Sequence, residues 1–392
     1  MKLKILVLAL LVSGLGWVKD FKIKSLHNTI YIHLFISLIY FTGWTQSTGF
    51  NNGFAILNIN GAGNTYRCLS AYNLPFTCGT NAELEGNYLG TIQYPTGTLV
   101  LNGAEINNWK CGGANIEAVH QFYRVYRQGT TPGTFTQRNI LFTSDVDNGC
   151  GGKDQLWRIT GDNQNLLTGL GNVGTYVLEV YITQNSSSSS GNLDYMSNNG
   201  SNYKATYNLC GNLPLSGSYD IPSACFPTMA SAVTHLNTYG ITGPVTFNVA
   251  AGYTETAPQG GFVITGTGTV SNPVVFQKSG VGANPTFTAS SSLVVGNRND
   301  AIFKIVGADY ITLDGLTMRE NPLNTINTSS SNNNMTEFGV GLFYATTSNG
   351  AQYNIIQNCI ISLNRNYYNT FGIYSNSNTQ NTSNLTDGTV VS

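Results

Sequence analysis

Between residues 54 and 209, apolar and polar positions alternate in short runs separated by Gly- and Asn-rich turns. The runs are Phe54–Asn60, Tyr88–Gln93, Thr98–Asn102, Phe122–Arg127, Arg138–Thr143, Gln155–Ile159, Thr175–Thr183 and Tyr203–Leu209. In Thr175–Thr183, residues Tyr176, Leu178, Val180 and Ile182 share one face, with Thr175, Glu179 and Thr183 opposite. That period of two belongs to a strand with one side in a core. Several such strands punctuated by turns predict a β-sandwich. Gln184–Asn202 is a Ser/Asn/Gly tract that reads as a loop ahead of the last strand.

The pattern changes after Leu209. Residues 210–227 hold Pro214, Pro222 and several Gly and Ser, and read as a linker. Thr228 then offers an N-cap, and Met229, Ala232, Val233 and Leu236 recur at helical spacing until Gly240. Val245, Phe247 and Val249 alternate inward in the next strand, and short strands follow at Val263–Thr265 and Val274–Gln277. Beyond Asp300 the chain repeats itself. Tyr310–Met318 aligns with Tyr353–Ile361, matching Leu313 to Ile356, Leu316 to Cys359, Met318 to Ile361, and Gly315 to Asn358. Gly and Asn best tolerate a left-handed backbone, so the last match marks one tight corner in two tiers. Phe303 aligns with Leu342 and Ile305 with Tyr344, and Phe371–Tyr374 echoes Phe338–Gly341 as the start of a third tier. Short strands at a fixed repeat predict a solenoid of parallel strands, opened by a capping helix.

Two stretches carry a family resemblance. Ala232–Gly252 and Ala308–Leu316 resemble the right-handed parallel β-helix, pectin-lyase-like repeat proteins secreted by Bacteroidota. Leu101–Glu105, Tyr123–Tyr126 and Gly174–Tyr181 resemble a module found in front of such β-helices. The resemblance implies an all-β fold: a β-sandwich over 46–209, then the first tiers of a right-handed parallel β-helix over 228–392. It also implies surface display or release, often by type IX secretion with a C-terminal sorting domain. No such domain follows Tyr374, only a polar tract and the stub Gly388–Val391, so the chain reads as a truncated product.

Composition narrows the setting. Charged residues are only 9% of the chain, against 41% hydrophobic and 11% aromatic, where an average domain carries about 25% charged residues. Of 18 basic and 19 acidic residues, five Lys and one Asp (Asp20) lie within residues 1–45, leaving thirteen basic and eighteen acidic. A mildly acidic body without a basic stripe disfavours nucleic acid. Within the leader, Phe21–Lys24 followed by apolar Ile30–Phe41 and small Gly43 and Thr45 reads as a signal peptide cleaved near Gln46. Membrane contact is then expected only through an uncleaved leader. All seven Cys lie beyond it, as an exported protein with disulfides would have them. Proximity pairs Cys68 with Cys78, Cys210 with Cys225 and Cys111 with Cys150, leaving Cys359 as a buried thiol. Without a C-x-x-C, and with only His120 and His235 past the leader, zinc is not expected.

Candidate chemistry is sparse. Gly169–Gly174 matches G-x-G-x-x-G, but a strand follows where a dinucleotide site needs a helix, so it reads as a turn. Asp145, Asp147, Asn148 and Asp154 cluster in one Gly-rich loop and are weak calcium candidates, the only cofactor suggested. Asp309 and Asp314 raise the possibility of a carbohydrate-cleaving carboxylate pair. Their aligned positions in the next tier are Gln352 and Gln357, so no carboxylate ladder builds and corner roles are expected. Tyr367, Tyr368 and Tyr374 near Arg365 are a candidate aromatic platform for a glycan. The expected protein is an exported, non-enzymatic surface protein that adheres to or binds a polysaccharide or cell-surface glycan. A fragment of a β-helix polysaccharide lyase or glycoside hydrolase is the alternative.

Overall fold

A computed structural model of the chain describes residues 47–70, 78–147, 153–187, 193–293, 299–327 and 333–379. The predicted leader and signal peptide lie outside these residues, as do Asn148 and Cys150. Among the described residues the fold is all-β with one short helix.

Thirteen strands come first. They are β1 (Ser47–Ile59), β2 (Asn64–Cys68), β3 (Asn87–Tyr94), β4 (Leu99–Cys111), β5 (Ile116–Arg127), β6 (Thr136–Ile140), β7 (Phe142–Asp147), β8 (Lys153–Ile159), β9 (Gln164–Asn165), β10 (Gly174–Ser186), β11 (Leu193–Met196), β12 (Tyr203–Gly211) and β13 (Leu215–Ile221). One sheet runs β2-β1-β4-β8-β7 with β9 beside β4, and a second runs β3-β12-β10-β5-β6 with β11 beside β10. The alternation read in β10 is realised: Tyr176, Leu178, Val180 and Ile182 are buried and pack in one core with Leu99, Leu101, Ala104 and Ile106 of β4. The β1–β4 register slips between Ile56 and Leu57, opposite Gly103 and Leu101. Gly103 has φ 127, and a Cβ there would run into the Ile159 carbonyl. Only glycine fits this irregularity.

The predicted linker is partly β-structure. β13 lies inside 210–227 and pairs in parallel with the strand after the helix, because Leu215, Tyr219 and Ile221 give it a buried side that the Pro and Gly content conceals. Helix α1 (Met229–Tyr239) follows, with Thr228 and Ser231 forming a capping box. It buries Met229, Ala232, Val233 and Leu236 over the first coil. Its first turn lacks an acidic residue, and Glu255 of that coil supplies one: Met229 N–H and Ala230 N–H donate to its carboxylate at 2.6 and 3.1 Å.

Twelve further strands wind four coils: β14 (Ile241–Ala250), β15 (Thr254–Thr256) and β16 (Phe262–Ile264); β17 (Val274–Ser279), β18 (Thr286–Thr288) and β19 (Ala301–Val306); β20 (Ile311–Asp314), β21 (Thr317–Arg319) and β22 (Phe338–Tyr344); β23 (Ile355–Gln357), β24 (Ile360–Ser362) and β25 (Phe371–Thr379). Each coil gives one strand to each of three parallel sheets, ordered β13-β14-β17-β20-β23, β15-β18-β21-β24 and β16-β19-β22-β25. This is a parallel β-helix. Identical side chains stack along its interior: Phe247 on Phe276 with ring centroids 4.8 Å apart, and Phe262 on Phe303 at 4.9 Å. The tier alignment holds for Leu313–Ile356 and Met318–Ile361, and the matched corner residues Gly315 and Asn358 both have positive φ. Tyr310 and Tyr353, also at positive φ, stack at 4.8 Å. One alignment shifts: Phe303 pairs with Val340 and Ile305 with Leu342, two residues from the expected Leu342 and Tyr344. A slip of two leaves every side chain on the same face, so alternation alone could not detect it.

Tyr219 joins the two parts. Its single O–H lies within reach of Val173 O of the sandwich (3.0 Å) and Ser216 O of β13 (2.9 Å), and its oxygen accepts from Ser216 N–H and Arg127 Nη2. Cys68–Cys78 and Cys210–Cys225 form the disulfides expected of them. Cys111 is also disulfide-bonded. These bonds fit an oxidising compartment outside the cytosol. Cys359 is a free, half-buried thiol at a coil corner, and burial pushes its pKa up. Among the described residues no helix is long and apolar enough to cross a membrane.

Candidate functional site

The calcium candidates do not share one set of partners. Asp145 lies on β7 with Oδ1 3.8 Å from Lys110 Nζ and 3.5 Å from Gln155 Nε2. Asp154 on β8 accepts from Asn51 Nδ2 at 2.8 Å and pairs across the ladder with Val146, so it faces away from Asp145. Asp147 ends β7, and Asn148 is outside the described residues. The one cluster of potential metal ligands among the described residues is Cys68, Cys78 and Glu83, whose two sulfurs are already joined in a disulfide.

The predicted aromatic platform is not one surface. Tyr368 is 67% exposed and Arg365 is exposed, but Tyr367 is only 1% exposed. Its hydroxyl donates to Glu337 Oε1 at 2.7 Å, so burial and a hydrogen bond remove it from any stacking face. Tyr374 stacks on Phe338 at 4.3 Å. Asp309 and Asp314 take corner roles: Asp309 Oδ1 accepts from Gln352 N–H, and Asp314 from the Gln357 and Asn358 amides.

A different aromatic surface exists on the sandwich. On β5, Val119 and Gln121 point into the core, which turns His120, Phe122, Arg124 and Tyr126 to the outer face of the second sheet. Phe122 pairs with Tyr181 of β10, and their rings lie parallel at 4.6 Å. Phe135, from the β5–β6 connection, meets Tyr181 edge-on at 4.9 Å. Tyr195 of β11 is 57% exposed beside Tyr181. Arg124 lies over Phe135 at 4.1 Å and Tyr126 at 5.6 Å.

Its charge is spent locally. Arg124 Nε and Nη2 reach Glu179 Oε2 at 2.9 and 2.8 Å, and Nη1 donates to Gly133 O. Asn202 Nδ2 donates to the other Glu179 oxygen. Exposed Gln137 and Asn139 stand opposite Phe122 and His120. The result is a neutral band of rings with amide groups at its edge. The signal was present in His120–Tyr126, where aromatic residues occupy both alternations of one strand and so mark both of its faces as used.

A second group lies inside the β-helix corner. Asp300 and Glu337 immediately precede β19 and β22, and the pairing of Ala301 with Phe338 stacks them in successive coils. Burial pushes Asp300 up to about 6 and Glu337 to about 8, while it pulls Lys304 of β19 down. No family model, curated protein or solved structure matches the chain.

Proposed function

We propose that the chain is an exported surface protein that binds a neutral glycan on the outer face of its second sheet. The observation that carries this reading is the Phe122–Tyr181–Phe135–Tyr195 band with exposed amides beside it. Aromatic rings offer the apolar CH faces of a sugar a stacking surface, and amides hydrogen-bond its hydroxyls without demanding charge. Export is supported by the leader pattern over 1–45, by the disulfides and by the resemblance to secreted β-helix proteins. The enzyme alternative draws on the stacked Asp300 and Glu337, yet their burial favours binding over hydrolysis, since a scissile bond must reach both carboxyls.

The test is a glycan array with and without calcium, followed by titration of the best neutral ligand into Tyr181→Ala and Tyr195→Ala. Each variant is expected to weaken binding about tenfold, from roughly 1–1.5 kcal/mol of lost stacking. Unchanged affinity in both, or binding confined to acidic glycans, would overturn the assignment.

A further inference from the structure

The aromatic face of the second sheet has a direction, set by the register of its strands. One row crosses four of them: Asn139 of β6 stands opposite His120 of β5, His120 opposite Thr183 of β10, and Thr183 opposite Tyr195 of β11. A second row beside it sets Gln137 opposite Phe122 and Phe122 opposite Tyr181. Directly paired residues share a face, and residues two apart on one strand do too, so both rows lie on the outer side with Phe122. Rings tie the rows together, with centroids 6.4 Å apart for His120 and Phe122 and 6.4 Å for Tyr181 and Tyr195. Thr183 between them is buried, while Tyr195, Asn139 and Gln137 are exposed.

The next row along the strands is charged. Arg124 stands opposite Glu179, and Glu179 opposite Lys204. Arg124 is paired with Glu179, donates to Gly133 O of the β5–β6 connection and lies over Phe135, so a spent guanidinium and a loop wall off that side. A chain lying along β5 or β10 runs into this wall. A chain lying across the strands does not, because among the described residues no strand lies beyond β6 or beyond β11. The row therefore reaches both edges of the sheet.

We propose, building on the glycan-binding function assigned to this face, that it takes an internal segment of an extended neutral polysaccharide, laid across β6, β5, β10 and β11 and held without its chain ends. Three strand spacings of about 4.8 Å give a track of about 14 Å, room for a trisaccharide. The Asn139 and Gln137 amides bond hydroxyls at the β6 edge, the Phe122 and Tyr181 rings cover the middle, and Tyr195 covers the β11 edge. No group on the track is a free cation or anion, and none closes either end against a continuing chain.

Calorimetric titration of the full chain with linear cello-, xylo- and manno-oligosaccharides, from monomer to hexamer, reads the track. In a series that binds, affinity is expected to rise about fivefold per added unit up to the trimer and then to level off. Methyl caps on both chain ends should leave the trimer's affinity unchanged. Asn139→Ala and Tyr195→Ala alter exposed side chains at opposite edges, and each should reduce the trimer to the affinity of the dimer while the melting temperature stays put. Equal affinity for monomer and hexamer, or loss of binding on capping, would overturn the track even where Tyr181→Ala still weakens binding and the glycan face stands. Absence of binding at every length in all three series would overturn both.

Discussion

Tyr219→Phe tests whether the sandwich and the β-helix unfold as one body. The hydroxyl is buried and bridges Val173 and Arg127 on one side to Ser216 on the other, at 2.9–3.3 Å. Its ring packs between Phe226 and Phe247 at 5.3 and 5.8 Å, and those contacts survive the substitution. Only polar partners are lost. Leaving Ser216 N–H and the Val173 carbonyl short of a partner costs about 1–3 kcal/mol. About 2 kcal/mol is expected here, because Arg127 keeps its position over the ring at 5.6 Å. The assay is urea denaturation of protein lacking the leader. Trp109 and Trp157 both sit in the sandwich, so their fluorescence reports that part, while far-UV circular dichroism reports both. In the wild type the two transitions should coincide, and in Tyr219→Phe both should move to lower urea together. A wild type with separated transitions, or a variant within about 0.5 kcal/mol of it, would refute a rigid junction.

Phe303→Ala removes a ring stacked against Phe262 and Phe287 in the β-helix interior, and should cost about 3–5 kcal/mol in the same denaturation assay. Gly103→Ala should cost about 2–3 kcal/mol, because a Cβ meets the Ile159 carbonyl at a backbone angle that alanine avoids; thermal melting checks it. Reducing Cys210–Cys225, which closes a separation of 15 residues, should cost about 3 kcal/mol, read from melts with and without a phosphine reductant. His235 is held below its usual pKa by burial, with Nε2 2.8 Å from Leu213 O. Its contribution is therefore complete above about pH 6.5 and lost as pH falls, and His235→Gln should flatten that acid-side loss in melts from pH 7 to 5.

How much was legible in the sequence depended on whether one face or two had to be explained. β10 puts its apolar row Tyr176, Leu178, Val180 and Ile182 on one face, so its alternation gave both strand and core side, and the sandwich followed. The last coils repeat a residue pattern tied to corner geometry, so Gly315 and Asn358 fixed their register without help. β13 hid because three of its seven residues form the buried row while Ser216, Gly217, Ser218 and Asp220 fill the rest. The aromatic band hid for the opposite reason: aromatics on both faces of β5 look like core, and only pairing with β10 shows which face is open. Tyr367 misled because solvent access in a solenoid depends on the loops over each coil, and no tier pattern encodes those.

Scarcity of charge acquires a mechanism when the ion pairs are placed. Arg124 is joined to Glu179, Arg138 to Asp162, Arg158 to Glu105 and Lys110 to Asp145, each within the sandwich. The Arg158–Glu105 pair is the most exposed of the four and adds little stability, while Glu179 and Asp162 are buried under their arginines. Their consequence here is to cancel charge on the sheet faces. A glycan band built beside a cancelled pair must recognise shape and hydroxyls, since Arg124, paired with Glu179, offers no free cation to an acid. In the β-helix, Asp300, Lys304 and Glu337 are instead buried together at one corner, where water screens them little.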